Sequence, residues 1–165
     1  MQHEHSWTRA ASEPALPNQT TLSMPGKKHR STPQLVARRR SKALFLPIGR
    51  EQADEMVMAY RVALEAVRAG HGDGKLLRRL YSMVLLTRYI TEAGHGELEL
   101  SVLEAGEGVL VKICERGDAG GDWAVDAATI ELLSCIVNEH DRQMRETRLQ
   151  VLLDASNRLD RLIAG

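Results

Sequence analysis

A chain of 165 residues, 43% hydrophobic and 27% charged, is long enough to build one core of ordinary size, and its two cysteines are too few for a disulfide-stapled fold. Aromatic residues make up only 4%, so the core must come from Leu, Val, Ile, Ala and Met, a palette that favours helices over sheets. The formal net charge of zero hides a division: residues 1–50 hold nine Lys/Arg against two Asp/Glu, and residues 51–165 hold thirteen against twenty. A basic segment of +7 is therefore joined to a body of −7.

No apolar run approaches the ~20 residues of a membrane span. The opening stretch MQHEHSWTRAASEPALP has no apolar segment of the secretory kind. The expectation is a cytoplasmic chain in which Cys114 and Cys135 are free thiols within apolar helices.

Residues 1–33 carry four of the five prolines and few large apolar side chains. Such a stretch buries too little surface to offset its ordering entropy and reads as a disordered tail. Residues 34–49 form a basic arm and docking segment. Thr32 and Pro33 suit a helix start, and Phe45, Leu46 and Ile48 are expected to dock on the body. Residues 50–165 read as the helical domain.

Four helices are predicted there. The first, about 50–69, places Ala53, Met56, Val57, Tyr60, Ala63, Leu64 and Val67 on one face and stops at Gly70. The second, about 75–93, has a stripe of Leu76, Leu77, Leu80, Met83, Val84, Thr87 and Ile90, widened by Leu85 and Leu86. That width predicts a central helix, with Gly94 as its C-cap. The third, about 99–116, turns Gly106 inward, as close packing between helices requires, and is expected to end at Gly117. The fourth starts at Asp126, a good N-cap. It then meets no Gly or Pro before Gly165, so it can run about 38 residues, roughly 57 Å at 1.5 Å per residue. That exceeds a small domain. Two readings stand: pairing with a second copy along Val151, Ala155, Leu159 and Leu162, or a fold-back near Asn157. His140 and Thr147 interrupt the apolar spacing.

Motifs for catalysis are not apparent. The sequence has no P-loop, HExxH, GxSxG or CxxC, and no GxGxxG follows a strand. His71 and His95 fall in glycine-rich turns, where a solvated side chain is commoner than a ligand, and no metal or other cofactor is expected. His140 reads as a polar residue at a core or interface edge. The paired acids Glu97, Glu99, Glu104 and Glu107 read as a solvated helix face. Non-enzymatic function is the expectation.

The basic run carries the functional content. Lys27, Lys28, Arg30, Arg38, Arg39, Arg40 and Lys42 place seven positive charges in sixteen residues. Such a segment neutralises phosphates and releases counterions, giving salt-sensitive, sequence-independent affinity for DNA. The competing reading is a solubilising linker, or an arm lying on the acidic body of its own or another subunit. A helix-turn-helix signal is weak: Lys75, Arg78, Arg79 and Arg88 lie on the second helix, but the AGHGDG turn is long.

The stretches TPQLVARRRSKALFLPI (32–48), LLTRYITEAGHGEL (85–98) and TRLQVLLDASNRLDRLIAG (147–165) resemble a group of small β-proteobacterial proteins, from Burkholderia relatives, that carry the designation Fis family transcriptional regulator. The resemblance covers residues 32–165. It implies a bacterial, cytoplasmic protein with a DNA association. The compact basic helix-turn-helix that ends Fis proteins has no counterpart in the nearly neutral LLDASNRLDRLIAG, so no residue role is transferred. The combined expectation is an all-α bundle of four main helices with a long C-terminal helix and a disordered basic arm. Its leading role is a regulator that contacts DNA through that arm. The alternative is a protein–protein adaptor with no nucleic-acid role.

Overall fold

The computed structural model of the chain describes residues 42–164. The disordered tail assigned to residues 1–33, and the arm as far as residue 41, lie outside the described residues. Helix α1 spans Arg50–Arg68, α2 Gly74–Ile90, α3 Leu100–Gly120, α4 Ala127–Glu146 and α5 Leu149–Ala164. Among the described residues the fold is all-α, and its only β pairing is an isolated antiparallel bridge between Pro47 and Arg148.

The elements start and stop for local reasons. The Asp73 carboxylate caps α2 by accepting from Leu76 N at 2.7 Å, and Asp126 caps α4 by accepting from Thr129 N at 2.7 Å. α2 passes at Thr91 into one wide π turn, Thr91–His95, which closes on Gly94 at φ +87°. Only glycine takes that conformation freely. α3 overruns its expected end. It continues through Gly117 to Gly120, because Gly117 faces inward and Trp123 packs its ring on the bare Cα. A methyl group there would overlap the indole. Gly106 is buried as expected: a Cβ would lie 2.6 Å from Ile136 Cδ1.

The wide apolar stripe of α2 does make it central. It touches every other helix and buries Leu77, Leu80, Met83, Val84, Leu85 and Ile90. Two apolar clusters result. The first joins α1, α2, α3 and α4 through Leu64, Val67, Leu80, Leu103, Leu110, Leu133 and Ile136. The second joins Ala53 and Val57 of α1, Leu85, Tyr89 and Ile90 of α2, Met144 of α4, and Ala155 and Leu159 of α5. Each fully buried Leu or Ile contributes about 1.5–3 kcal/mol.

The uninterrupted C-terminal helix is the main correction to the sequence reading. The helix breaks at Thr147, whose backbone is extended (φ −82°, ψ 140°), and resumes at Leu149 as α5. The fold-back therefore occurs about ten residues before Asn157, with no glycine or proline. Its backbone is satisfied partly from far away in sequence, where Leu149 N donates to Leu46 O at 2.9 Å, and partly by the helix itself, where Thr147 N still reaches Gln143 O. The break lets α5 lie on α2 and bury Ala155 and Leu159 within the chain.

The docking segment also differs from expectation. Phe45 and Leu46 remain 64% and 61% exposed, and only Ile48 packs on the second cluster. Leu46 acts through its carbonyl rather than its side chain.

Candidate functional site

Of the seven basic residues singled out in the arm, Lys27, Lys28, Arg30, Arg38, Arg39 and Arg40 lie outside the described residues. Lys42 is exposed at the root of the arm, in a helical stretch over residues 42–44. The four proposed interface residues do not form one exposed seam. Ala155 and Leu159 are buried in their own chain, Val151 is half-buried, and Leu162 is on the surface.

The body's own cations are largely engaged. Arg61 holds Asp141, Arg68 holds Glu65, Arg78 holds Asp118 at 2.6 Å, and Arg116 holds Asp122. Arg145 joins Asp54 to Asp141, and Arg158 joins Glu92. Arg88, one of the helix-turn-helix candidates on α2, lies between α2 and α3, with Nη1 2.6 Å from Glu107. Arg142 holds Glu139 and Glu146, so its guanidinium stays firmly protonated. The helix-turn-helix candidates are thus split: Arg78 and Arg88 are paired, while Lys75 and Arg79 make no ion pair among the described residues.

On the outward side of α1 the charge is of the other sign. Glu51, Glu55, Met58, Val62 and Glu65 recur at four- and three-residue steps and are all exposed. Glu51 and Glu55 have no ion-pair partner among the described residues, and Met58 and Val62 are 57% and 60% exposed.

The sequence reading missed a buried polar layer between the two apolar clusters. His140, placed at a core or interface edge from sequence, is 1% exposed. Thr87 Oγ1 donates to Met83 O at 2.8 Å, so its lone pair faces His140 Nδ1 at 3.1 Å. A hydroxyl has one proton, which assigns the imidazole proton to Nδ1 and leaves Nε2 as an acceptor. Nε2 has no hydrogen-bond partner among the described residues, and Tyr60 meets the ring edge-to-face at 5.2 Å. Burial lowers the His140 pKa to about 4, against a weak opposing pull from Asp141.

One turn on, Gln143 Nε2 donates to Thr91 Oγ1 at 2.9 Å and reaches Thr87 O and Glu139 Oε1 at 3.3 Å, while its Oε1 is unpartnered. Burial pushes the Glu139 carboxyl up, but Arg142 and the donated N–H of Glu97 more than offset this and hold it below its ordinary value. Arg142 also donates to His95 O at 3.0 Å. The layer thus fastens the π turn and the loop after it to α4. The signal available in sequence was Thr87 within an apolar stripe and His140 within an apolar spacing.

Chemistry beyond this is sparse. Among the described residues no three His, Cys, Asp or Glu side chains gather to hold a metal, so His71, His95 and Cys114 do not form a site. Clefts of about 400 Å³ between the π turn and α5 (Tyr89, Glu92, Asp154, Arg158) and about 430 Å³ beside Lys112 and Arg116 are open to solvent. Burial raises the Cys114 thiol pKa, which disfavours the nucleophilic thiolate. No described helix is long and apolar enough to cross a membrane. Compared with known proteins, the chain matches no family model, no curated protein and no solved structure.

Proposed function

We propose that this is a non-enzymatic, cytoplasmic bacterial regulatory protein that associates with DNA through Lys27, Lys28, Arg30, Arg38, Arg39, Arg40 and Lys42. One observation carries the reading: positive charge is concentrated in the arm, while the body's arginines are mostly held by its own carboxylates. A polyanion approaching the −7 body meets repulsion; approaching the arm, it meets seven cations in sixteen residues. Binding of this kind is dominated by counterion release and falls steeply with salt.

The test is a gel shift across a salt series with the wild type and the quadruple variant Arg38→Ala/Arg39→Ala/Arg40→Ala/Lys42→Ala. The expected result is weaker binding and a shallower salt slope, by roughly 0.9 per lost phosphate contact. Equal affinity and slope would remove the arm as the DNA contact. The second reading, a protein–protein adaptor, is favoured by the exposed Met58 and Val62 on α1 and Phe45 and Leu46 beside α5.

A further inference from the structure

We propose that the arm's basic run Arg38–Lys42 docks on the outward face of α1 in its own chain and that this contact competes with phosphate binding. The competition rests on the arm–phosphate reading above; the docking does not. Helix α1 has two faces. The inner face carries Ala53, Val57, Leu64 and Val67 into the core. The opposite one carries Glu51, Glu55, Met58, Val62 and Glu65 at the 4–3–4–3 spacing of a helix seam, yet no described element covers it. Two of its carboxylates have no cation among the described residues, and its centre is apolar.

The arm offers the complement in kind and order. Leu35 and Val36 precede Arg38, Arg39, Arg40 and Lys42, as Met58 and Val62 follow Glu51 and Glu55. An antiparallel approach sets arginines against the glutamates and Leu35 and Val36 against Met58 and Val62. The tether is short. Eight residues lie between Lys42 and Glu51, a reach of about 30 Å at full extension, so the arm is held near α1 at an effective concentration on the order of millimolar. A DNA phosphate chain must displace that contact before it gains the arm's cations. Substituting Glu51 and Glu55 should therefore strengthen DNA binding by more than neutralising two exposed carboxylates elsewhere on the body, which only relieves its general repulsion.

Amide NMR on the full chain tests the docking without any DNA. In low salt the α1 amides of residues 51–65 should differ between wild type and the quadruple arm variant. The difference should vanish in high salt and be independent of protein concentration. Trypsin should cut the arm several-fold faster in Glu51→Gln/Glu55→Gln than in wild type; both substitutions are on the surface and spare the core. Identical α1 amides and equal cleavage would overturn the proposal. A concentration-dependent difference would also overturn it, by assigning the face to the arm of a second copy. Loss of DNA binding in the arm variant with unchanged α1 amides would overturn the docking alone. Shifted α1 amides with no DNA affinity would overturn the phosphate reading and the competition while retaining the docking.

Discussion

The two apolar clusters share helices α1, α2 and α4 but are completed by different ones, α3 in the first and α5 in the second, and by different means. The first is closed by side chains of Leu, Val and Ile, with Gly106 and Gly117 providing close approach. The second adjoins a polar layer, where Thr87, Glu139, His140 and Gln143 occupy positions that the helical spacing reserves for the core. An apolar layer is held by area and is indifferent to pH. A polar layer is held by a set of partners, and leaving one unmatched costs about 1–3 kcal/mol. His140 Nε2 and Gln143 Oε1 carry such a cost. The second half of the bundle is therefore the conditional half.

The sharpest break in the comparison comes from the apolar side. Leu80 is fully buried in the first cluster, and Leu80→Ala should cost about 2–5 kcal/mol. Urea unfolding monitored by circular dichroism should show the same loss at pH 8 and at pH 5. His140 should behave in the opposite way. Its folded pKa lies below the unfolded value, so protonation favours the unfolded chain. Its contribution is complete above the unfolded pKa of 6.5, declines as pH falls, and is lost by about pH 4. A shift of that size corresponds to about 3 kcal/mol. His140→Leu should flatten the stability curve between pH 6.5 and about pH 4, the window bounded by those two pKa values; a curve as steep as wild type would assign the acid sensitivity elsewhere. Glu139 and Asp141 work in a lower window, since their depressed pKa values give stability that persists until pH falls through them.

Gly117→Ala has a smaller effect, about 1–3 kcal/mol of overpacking, because Trp123 can swing out toward solvent. A red shift in its fluorescence should accompany the loss. Least of all, Arg158→Ala removes an exposed ion pair with Glu92 and a guanidinium stacked 3.9 Å from the Tyr89 ring centroid. Such contacts contribute about 1 kcal/mol or less, and hydrogen exchange should rise in α5 while α3 stays protected.

These differences follow what was legible in the sequence. The existence of the first three helices, the central place of α2, the Asp126 cap and the inward Gly106 are local properties of spacing and residue type. The break at Thr147 is not. Nothing between Ala127 and Ala164 disfavours a helix strongly, and the partner that makes the break stable, Leu46 O, is about a hundred residues away. The overrun at Gly117 has the same origin, since a glycine reads as a stop until Trp123 is placed upon it. Phe45 and Leu46 were misplaced because apolar character suggested side-chain burial where a backbone carbonyl does the joining. The polar layer was partly visible: Thr87 and His140 stood out of pattern, but only the crossing of α2 and α4 brings them to 3.1 Å.

The bond between Leu46 O and Leu149 N also sets a timetable for synthesis. The first partner emerges from the ribosome roughly a hundred residues before the second, about 5–20 s at ordinary elongation rates. For that interval Ile48, Ala53 and Val57 face a gap that only the last turns of α4 and the whole of α5 can fill. The first cluster is complete once Val137 has emerged, but the second waits on residues up to Leu159. A chain truncated after residue 140 should therefore hold a folded first cluster beside an open apolar edge, a surface of the kind that hydrophobe-binding chaperones hold.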